Sequence, residues 1–324
     1  MKKNKFIIYI LIIVLICIMV FILNNLNNQK SINKDTIYLL QTSSESLFKT
    51  SNKFKYYNKN GELIKEETFN DTGDVSYKTT INNKIYSFGP GGLYETDPNK
   101  LTTKKISKKD INIVKYYDEK LYYYVNGGYK NSSYDSQICN NENCIKNNFP
   151  ITDFIINKEY TYILGLNELA IYKDKELIKF IDLTEFKPYQ KFLEINNRIF
   201  IINNNEIKEI IDTTINNYSS NNYIKAINFE IYKNKLDETL IFDRTTNKLN
   251  VIELNNNGLT ISNSYNTNKG YRITYSLKTE EIIQYNFDYN DKKITFKKLN
   301  KEIIDEFKIK ISKNESVYMA YKIK

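Results

Sequence analysis

The chain has 324 residues, neither histidine nor tryptophan, and 47 basic against 38 acidic side chains, for a formal charge of +9. Without histidine it has no Ser-His-Asp or Cys-His constellation, no imidazole base and no His-ligated metal. The basic excess is nearly all lysine, Arg198, Arg244 and Arg272 being the only arginines, and no basic cluster interleaved with aromatics supports nucleic-acid binding.

Phe6 to Leu23 is a run of 18 uncharged residues without Pro or Gly. As a helix it would measure about 27 Å, close to the roughly 30 Å of a bilayer's hydrocarbon. Lys2, Lys3 and Lys5 precede it and the next basic residue is Lys30. The positive-inside rule then predicts a cytoplasmic tail over 1–5, a transmembrane helix over 6–23 and everything beyond outside, as in a bacterial single-pass cell-membrane protein. A cleaved secretion signal would end in a small-residue site, whereas this run enters Asn24-Asn25. A lipoprotein signal would need a small residue where Ile16 precedes Cys17. Residues 24–35 are polar and aperiodic, a stalk.

From residue 36 the pattern is all strand. Thr36 to Leu40 opens the first, and Asn60-Gly61 marks a hairpin turn. Four polar turns then recur, each followed by an apolar, aromatic-rich strand: Asn82-Asn83, Asp118-Glu119, Asn157-Lys158 and Asn196-Asn197, at spacings of 36, 39 and 39 residues. A strand-only period of this size is the signature of a β-propeller, whose blades cannot bury their faces alone. Dividing residues 36–324 by the period predicts a single all-β propeller of about seven four-stranded blades, its N-terminal strand completing the C-terminal blade. Lys301 to Lys308 comes nearest to a helix and reads equally well as a turn followed by an edge strand.

Cys139 and Cys144 flank a polar four-residue loop and are a candidate disulfide; two cysteines alone are too few for a metal site. The sequence implies no cofactor. Phe88-Gly89-Pro90-Gly91-Gly92 lies between strands and reads as a turn, not a phosphate loop. Asp135, Glu142 and Asp288 to Asp291 offer oxygen ligands without calcium-loop spacing. Tyr122, Tyr123, Tyr124 and Tyr129 come in a run too dense for every ring to face inward, so they are candidate binding residues set against ordinary blade packing.

The pattern of polar turn, Lys, Ile-Tyr or Leu-Tyr, then Gly91-Gly92-Leu93-Tyr94-Glu95-Thr96-Asp97 resembles the degenerate propeller repeats of bacterial extracytoplasmic proteins with an N-terminal signal anchor. That resemblance implies an architecture and no chemistry. The expected role is a non-catalytic binding or scaffold module for an envelope protein or cell-wall glycan. Two alternatives stay open: a polysaccharide-active enzyme using a carboxylate pair in the propeller channel, and an assembly factor of a membrane complex.

Overall fold

In the computed structural model the described residues are 14–16, 18–19 and 37–323, other than 47–48, 131–132, 141–142, 158, 185–189, 204–205, 219–228, 234–237, 257, 278, 280, 301 and 313. Strands β1 to β3 (Ile37–Glu45, Thr50–Asn58, Leu63–Asp71) open the fold. Five antiparallel four-stranded sheets follow in chain order. They are β4 to β7 (Tyr77–Ile81, Lys84–Gly89, Gly92–Asp97, Thr102–Ser107) and β8 to β11 (Ile111–Tyr117, Lys120–Lys130, Ser133–Cys139, Cys144–Asn147). Next come β12 to β15 (Asp153–Ile156, Thr161–Leu164, Glu168–Lys173, Glu176–Asp182) and β16 to β19 (Lys191–Ile195, Arg198–Ile202, Ile207–Ile211, Thr214–Tyr218). The last is β20 to β23 (Phe229–Lys233, Thr239–Asp243, Lys248–Asn255, Gly258–Asn266). Strands β24 to β27 (Arg272–Ser276, Glu281–Asp288, Lys293–Lys298, Ile303–Lys308) and β28 (Glu315–Lys322) complete the chain.

The repeated turns set the phase of this architecture. Asn82-Asn83, Asp118-Glu119 and Asn196-Asn197 all have φ between 46° and 60° at both positions. That is the geometry of a type I′ turn, whose twist matches a right-handed hairpin and which Asn and Asp tolerate best. Each joins the first and second strands of its sheet, closing on the pairs Ile81↔Lys84, Tyr117↔Lys120 and Ile195↔Arg198. At Asn157 the side chain instead accepts from the amides of Glu159 and Tyr160.

Seven separate four-stranded blades are not what forms. Five are separate, and the other eight strands make one continuous sheet in the order β27-β26-β25-β24-β28-β1-β2-β3. The cause is β28. It pairs antiparallel with β1 from Tyr38↔Lys322 to Ser44↔Glu315, and its end also runs parallel beside β24 at Ser276↔Lys322. The C-terminal strand therefore joins the N-terminal sheet, the reverse of the expected donation. Residues 303–308 form strand β27 at that sheet's edge, not a helix.

Apolar clusters fill every gap between neighbouring strand groups. Phe154, Ile163 and Ala170 meet Tyr124 and Ile138 across one gap; Ile199 and Ile201 meet Ile171 and Leu164 across the next. Within the eight-stranded sheet, Tyr38, Leu40 and Tyr57 pack against Tyr285, Phe296 and Phe307. This chain of contacts returns to its start, so the arrangement is a closed ring. Last strands such as β15 and β19 are largely exposed, whereas first strands approach their neighbours, β4 with β8 and β12 with β16. The first strands therefore face the ring's axis.

The transmembrane anchor expected over 6–23, and with it the single-pass membrane location, is corrected. Among the described residues no helix is long and apolar enough to cross a membrane. The described part of that segment, 14–16 and 18–19, is helical. The rest of 6–23, the tail over 1–5 and the stalk over 24–35 lie outside the described residues.

Candidate functional site

The tyrosines singled out from the sequence do not gather into one patch. Alternation along β9 sends Tyr122 and Tyr124 to the side packed against Phe154, and Tyr123 to the opposite side beside Phe88 and Leu93. Tyr124 is buried, with its hydroxyl 3.3 Å from Ser136 Oγ. Tyr129, beyond Gly128, is 74% exposed. Cys139 and Cys144 face each other at the end of the β10–β11 hairpin, their Cα atoms 4.1 Å apart and their sulfurs bonded. Thiol labelling of native, unreduced protein is expected to leave both unmodified, and reduction to cost about 2 kcal/mol by the loop-entropy argument. Labelling of both without reductant would remove the bridge. Glu142 lies outside the described residues. The Asp288 carboxylate accepts from the amides of Asn290 and Asp291, as in an ordinary turn.

The chemistry of the axis was not foreseen. Each first strand brings a charged residue to one cluster: Lys78 on β4, Lys115 on β8, Asp153 on β12, Lys191 on β16, Glu230 on β20 and Arg272 on β24, with Glu194 as a second charge on β16 and Lys233 as a second on β20. Arg244, just after β21, joins them. All six sheets thus contribute a charge. Within the cluster Lys78, Lys115, Lys191, Arg244 and Arg272 are cations, and Asp153 and Glu230 are the carboxylates paired with two of them.

The two carboxylates are both engaged. Asp153 lies 2.6 Å from Lys115 Nζ and accepts from the amides of Phe154 and Phe192. Glu230 pairs with Arg244 and accepts from the Tyr232 hydroxyl. Lys78 and Arg272 differ. Lys78 Nζ donates to the Ile273 carbonyl at 3.0 Å and sits 5.1 Å and 5.3 Å from the ring centres of Tyr321 and Tyr285. Arg272 Nη1 donates to the Tyr318 carbonyl at 2.7 Å, which the Tyr285 hydroxyl also reaches at 3.0 Å. Among the described residues neither cation forms a salt bridge with a carboxylate.

The cations act on one another. Burial, with the nearby Arg272 and Arg244 guanidinium groups, pushes the Lys78 ammonium down to about 7. Burial also lowers Lys191, with Lys115 and Arg244 adding to the shift and Asp153 opposing it. Arg244 is lowered by burial and by Arg272. Lys78 and Lys191 are half-buried, while Arg244 and Arg272 are exposed, so the cluster opens to solvent at its arginine side. One sequence signal could have found it: Lys78, Lys115, Asp153 and Lys191 each precede their repeat's polar turn by three to five residues.

A separate hollow of about 360 Å³ lies in one blade, lined among others by Lys109, Asp110, Lys130 and Asp135. Its charges largely compensate each other, Lys130 pairing with Asp135 at 3.1 Å.

No family model matches the chain, and no curated protein does. Solved structures do. A functionally unknown protein from Desulfotomaculum acetoxidans DSM 771 is 10% identical with a TM-score of 0.51, the match covering 82% of this chain and 95% of that one. The fold is that of a β-propeller. Two looser matches are a catalytically inactive virginiamycin B lyase from Staphylococcus aureus with quinupristin (14% identity, TM-score 0.46, 72% and 84% covered) and a protein of unknown function from Bacteroides caccae (10%, 0.43, 90% and 99%). In this propeller, strand β28 closes the ring and the first strands carry the axial charges.

Proposed function

We propose that this propeller is a non-catalytic binding module, a rigid ring that receives a protein or glycan partner at its axis. The observation that supports this reading is the convergence of charged side chains from all six sheets on one place, with arginines exposed to meet a ligand. Hydrolysis of a glycosidic bond requires one carboxyl free to donate a proton and a second free to attack or activate water. Asp153 is occupied by Lys115 and Glu230 by Arg244, so neither of these two carboxylates is free for the polysaccharide-enzyme alternative.

The test is cross-linking of the full chain in intact cells, with captured material identified by mass spectrometry. One reproducible protein or glycan is expected, unchanged in mass after incubation with purified propeller. Chemical conversion of the captured glycan would overturn the non-catalytic reading, and failure to capture any reproducible partner would overturn the binding reading.

A further inference from the structure

We infer that the axial site is a receptor for a small oxyanion, a carboxylate or phosphate group, held directly by Lys78 and Arg272. The inference rests on the binding reading and names its ligand class. Its basis is a mismatch in charge. Lys115 and Arg244 each have a carboxylate partner, and Lys191 lies within the field of Asp153. Lys78 and Arg272 instead meet carbonyl oxygens and phenol groups.

Placing an ammonium among protein groups without a counter-ion, and within the field of two guanidinium groups, is unfavourable. An apolar residue in the first strand would avoid that cost, as Ile155 on β12 and Leu193 on β16 illustrate. A position that holds an ammonium beside two guanidinium groups and no carboxylate is completed by an anion from outside.

The site is also pre-arranged for one. Lys78 is steered by the Ile273 carbonyl and two tyrosine rings. A guanidinium has five N–H donors, so the Tyr318 carbonyl and Tyr285 hydroxyl leave Arg272 donors for bidentate contact with an oxyanion. Arg244 and Lys191 add long-range attraction. A neutral ligand would leave this excess of charge uncompensated.

Protonation of Lys78 should govern the affinity. The groups that act on it are Arg272 from β24, Arg244 after β21, Tyr285 from β25 and Tyr321 from β28, with Tyr232 from β20 beside those two rings and Glu230 from β20 held by Arg244. The guanidinium groups stay charged and the phenols neutral through the neutral pH range, so Lys78 is the member of this set that changes charge there.

The experiment is isothermal titration calorimetry of the full chain at low ionic strength, using inorganic phosphate and citrate as separate probes. At pH 6.5 one or both should bind with unit stoichiometry, and the stronger identifies phosphate or carboxylate as the preferred oxyanion. Lys78→Met and Arg272→Gln should each weaken binding at least tenfold, whereas Lys100→Met, at an exposed turn, should leave it unchanged. Raising the pH from 6.5 to 8.5 should weaken citrate binding roughly tenfold as Lys78 loses its proton. That arm uses the unmodified protein and decides the matter should a variant fail to fold. No heat from either probe with folded protein, or undiminished affinity in both variants, would overturn the inference. Capture of an unmodified neutral glycan together with silent calorimetry would retain the binding reading and remove the anion.

Discussion

Replacing Lys55 by Met is expected to destabilise the propeller by about 3–5 kcal/mol at pH 7, the scale for breaking a buried ion pair from one side. Lys55 on β2 and Glu315 on β28 lie 2.5 Å apart, with side chains 5% and 0% exposed. Glu315 also accepts from the Thr42 hydroxyl and the Ser312 amide. The pair sits where β28 docks against β1, so it couples a central strand of the N-terminal sheet to the strand that closes the ring. Without Lys55 the carboxylate would be left with two neutral donors.

The pH dependence follows from the same geometry. Burial pushes the Glu315 carboxyl up, but Lys55, Thr42 and Ser312 together hold it below its ordinary value. A carboxyl depressed in the folded state contributes stability that is complete above the unfolded value of about 4.3 and is lost as pH falls further. In the Lys55→Met variant the carboxyl rises instead, so its deficit relative to wild type should shrink towards pH 4.5 as Glu315 takes up a proton. Urea unfolding of both proteins at pH 7 and 4.5 checks this, and the double replacement Lys55→Met with Glu315→Leu should recover much of the loss. A deficit below about 1 kcal/mol at pH 7 would mean that the pair contributes little.

Alkaline unfolding is the second large effect. Tyr38, Tyr56, Tyr57, Tyr94, Tyr285 and Tyr321 are fully buried, filling the space between strand groups. Burial raises all six phenols, Tyr285 up to about 12 and the others further, with Asp305 adding to the shift of Tyr38 and Asp71 to that of Tyr94. A phenol raised in the folded state contributes stability that is complete below about pH 10 and is lost as pH rises through the folded value. Near pH 11 each contributes a loss of about 1 kcal/mol, so six together remove several kcal/mol from a total typically of about 5–15.

Lys78 works in the opposite sense. Its ammonium is depressed to about 7 in the fold, so its unfavourable contribution fades as pH rises from about 7 towards the unfolded value of about 10.4. Stability should therefore peak between about pH 8 and 10 and collapse cooperatively above that range. The share of tyrosinate absorbance that belongs to the buried phenols should appear in the same step as the loss of far-ultraviolet circular dichroism. Ionisation of the full complement of tyrosines with the β signal intact would show that the buried phenols reach water in the folded state.

Local chemistry carried much of the fold. An Asn-Asn, Asp-Glu or Asn-Asn pair ahead of Ile85, Leu121 or Ile199 specifies a type I′ hairpin without reference to the rest of the chain, because it needs only residues that tolerate positive φ. The spacing of those pairs sets the length of a blade. Cys139 and Cys144 are near in sequence, so a single hairpin brings them together. Tyr122 to Tyr124 were misleading as a group for an equally local reason: alternation along β9 separates them onto two faces, each covered by a different neighbour.

The remainder depends on contacts between residues far apart in the chain. No local pattern states that β28 will lie between β24 and β1, because its preference for that place comes from Met319 and Tyr321 packing beside Ile37 and Leu39, more than 270 positions away. That one placement turns two four-stranded groups into a continuous sheet. Lys78 and Arg272 are single cations in ordinary strands until ring closure brings their sheets to the axis, where each lies within the field of the other. Turn type and strand phase were legible because they are decided over a few bonds. Ring closure and the axial charge belong to the tertiary structure, because burial and electrostatic repulsion are set by neighbours in space, wherever they stand in the chain.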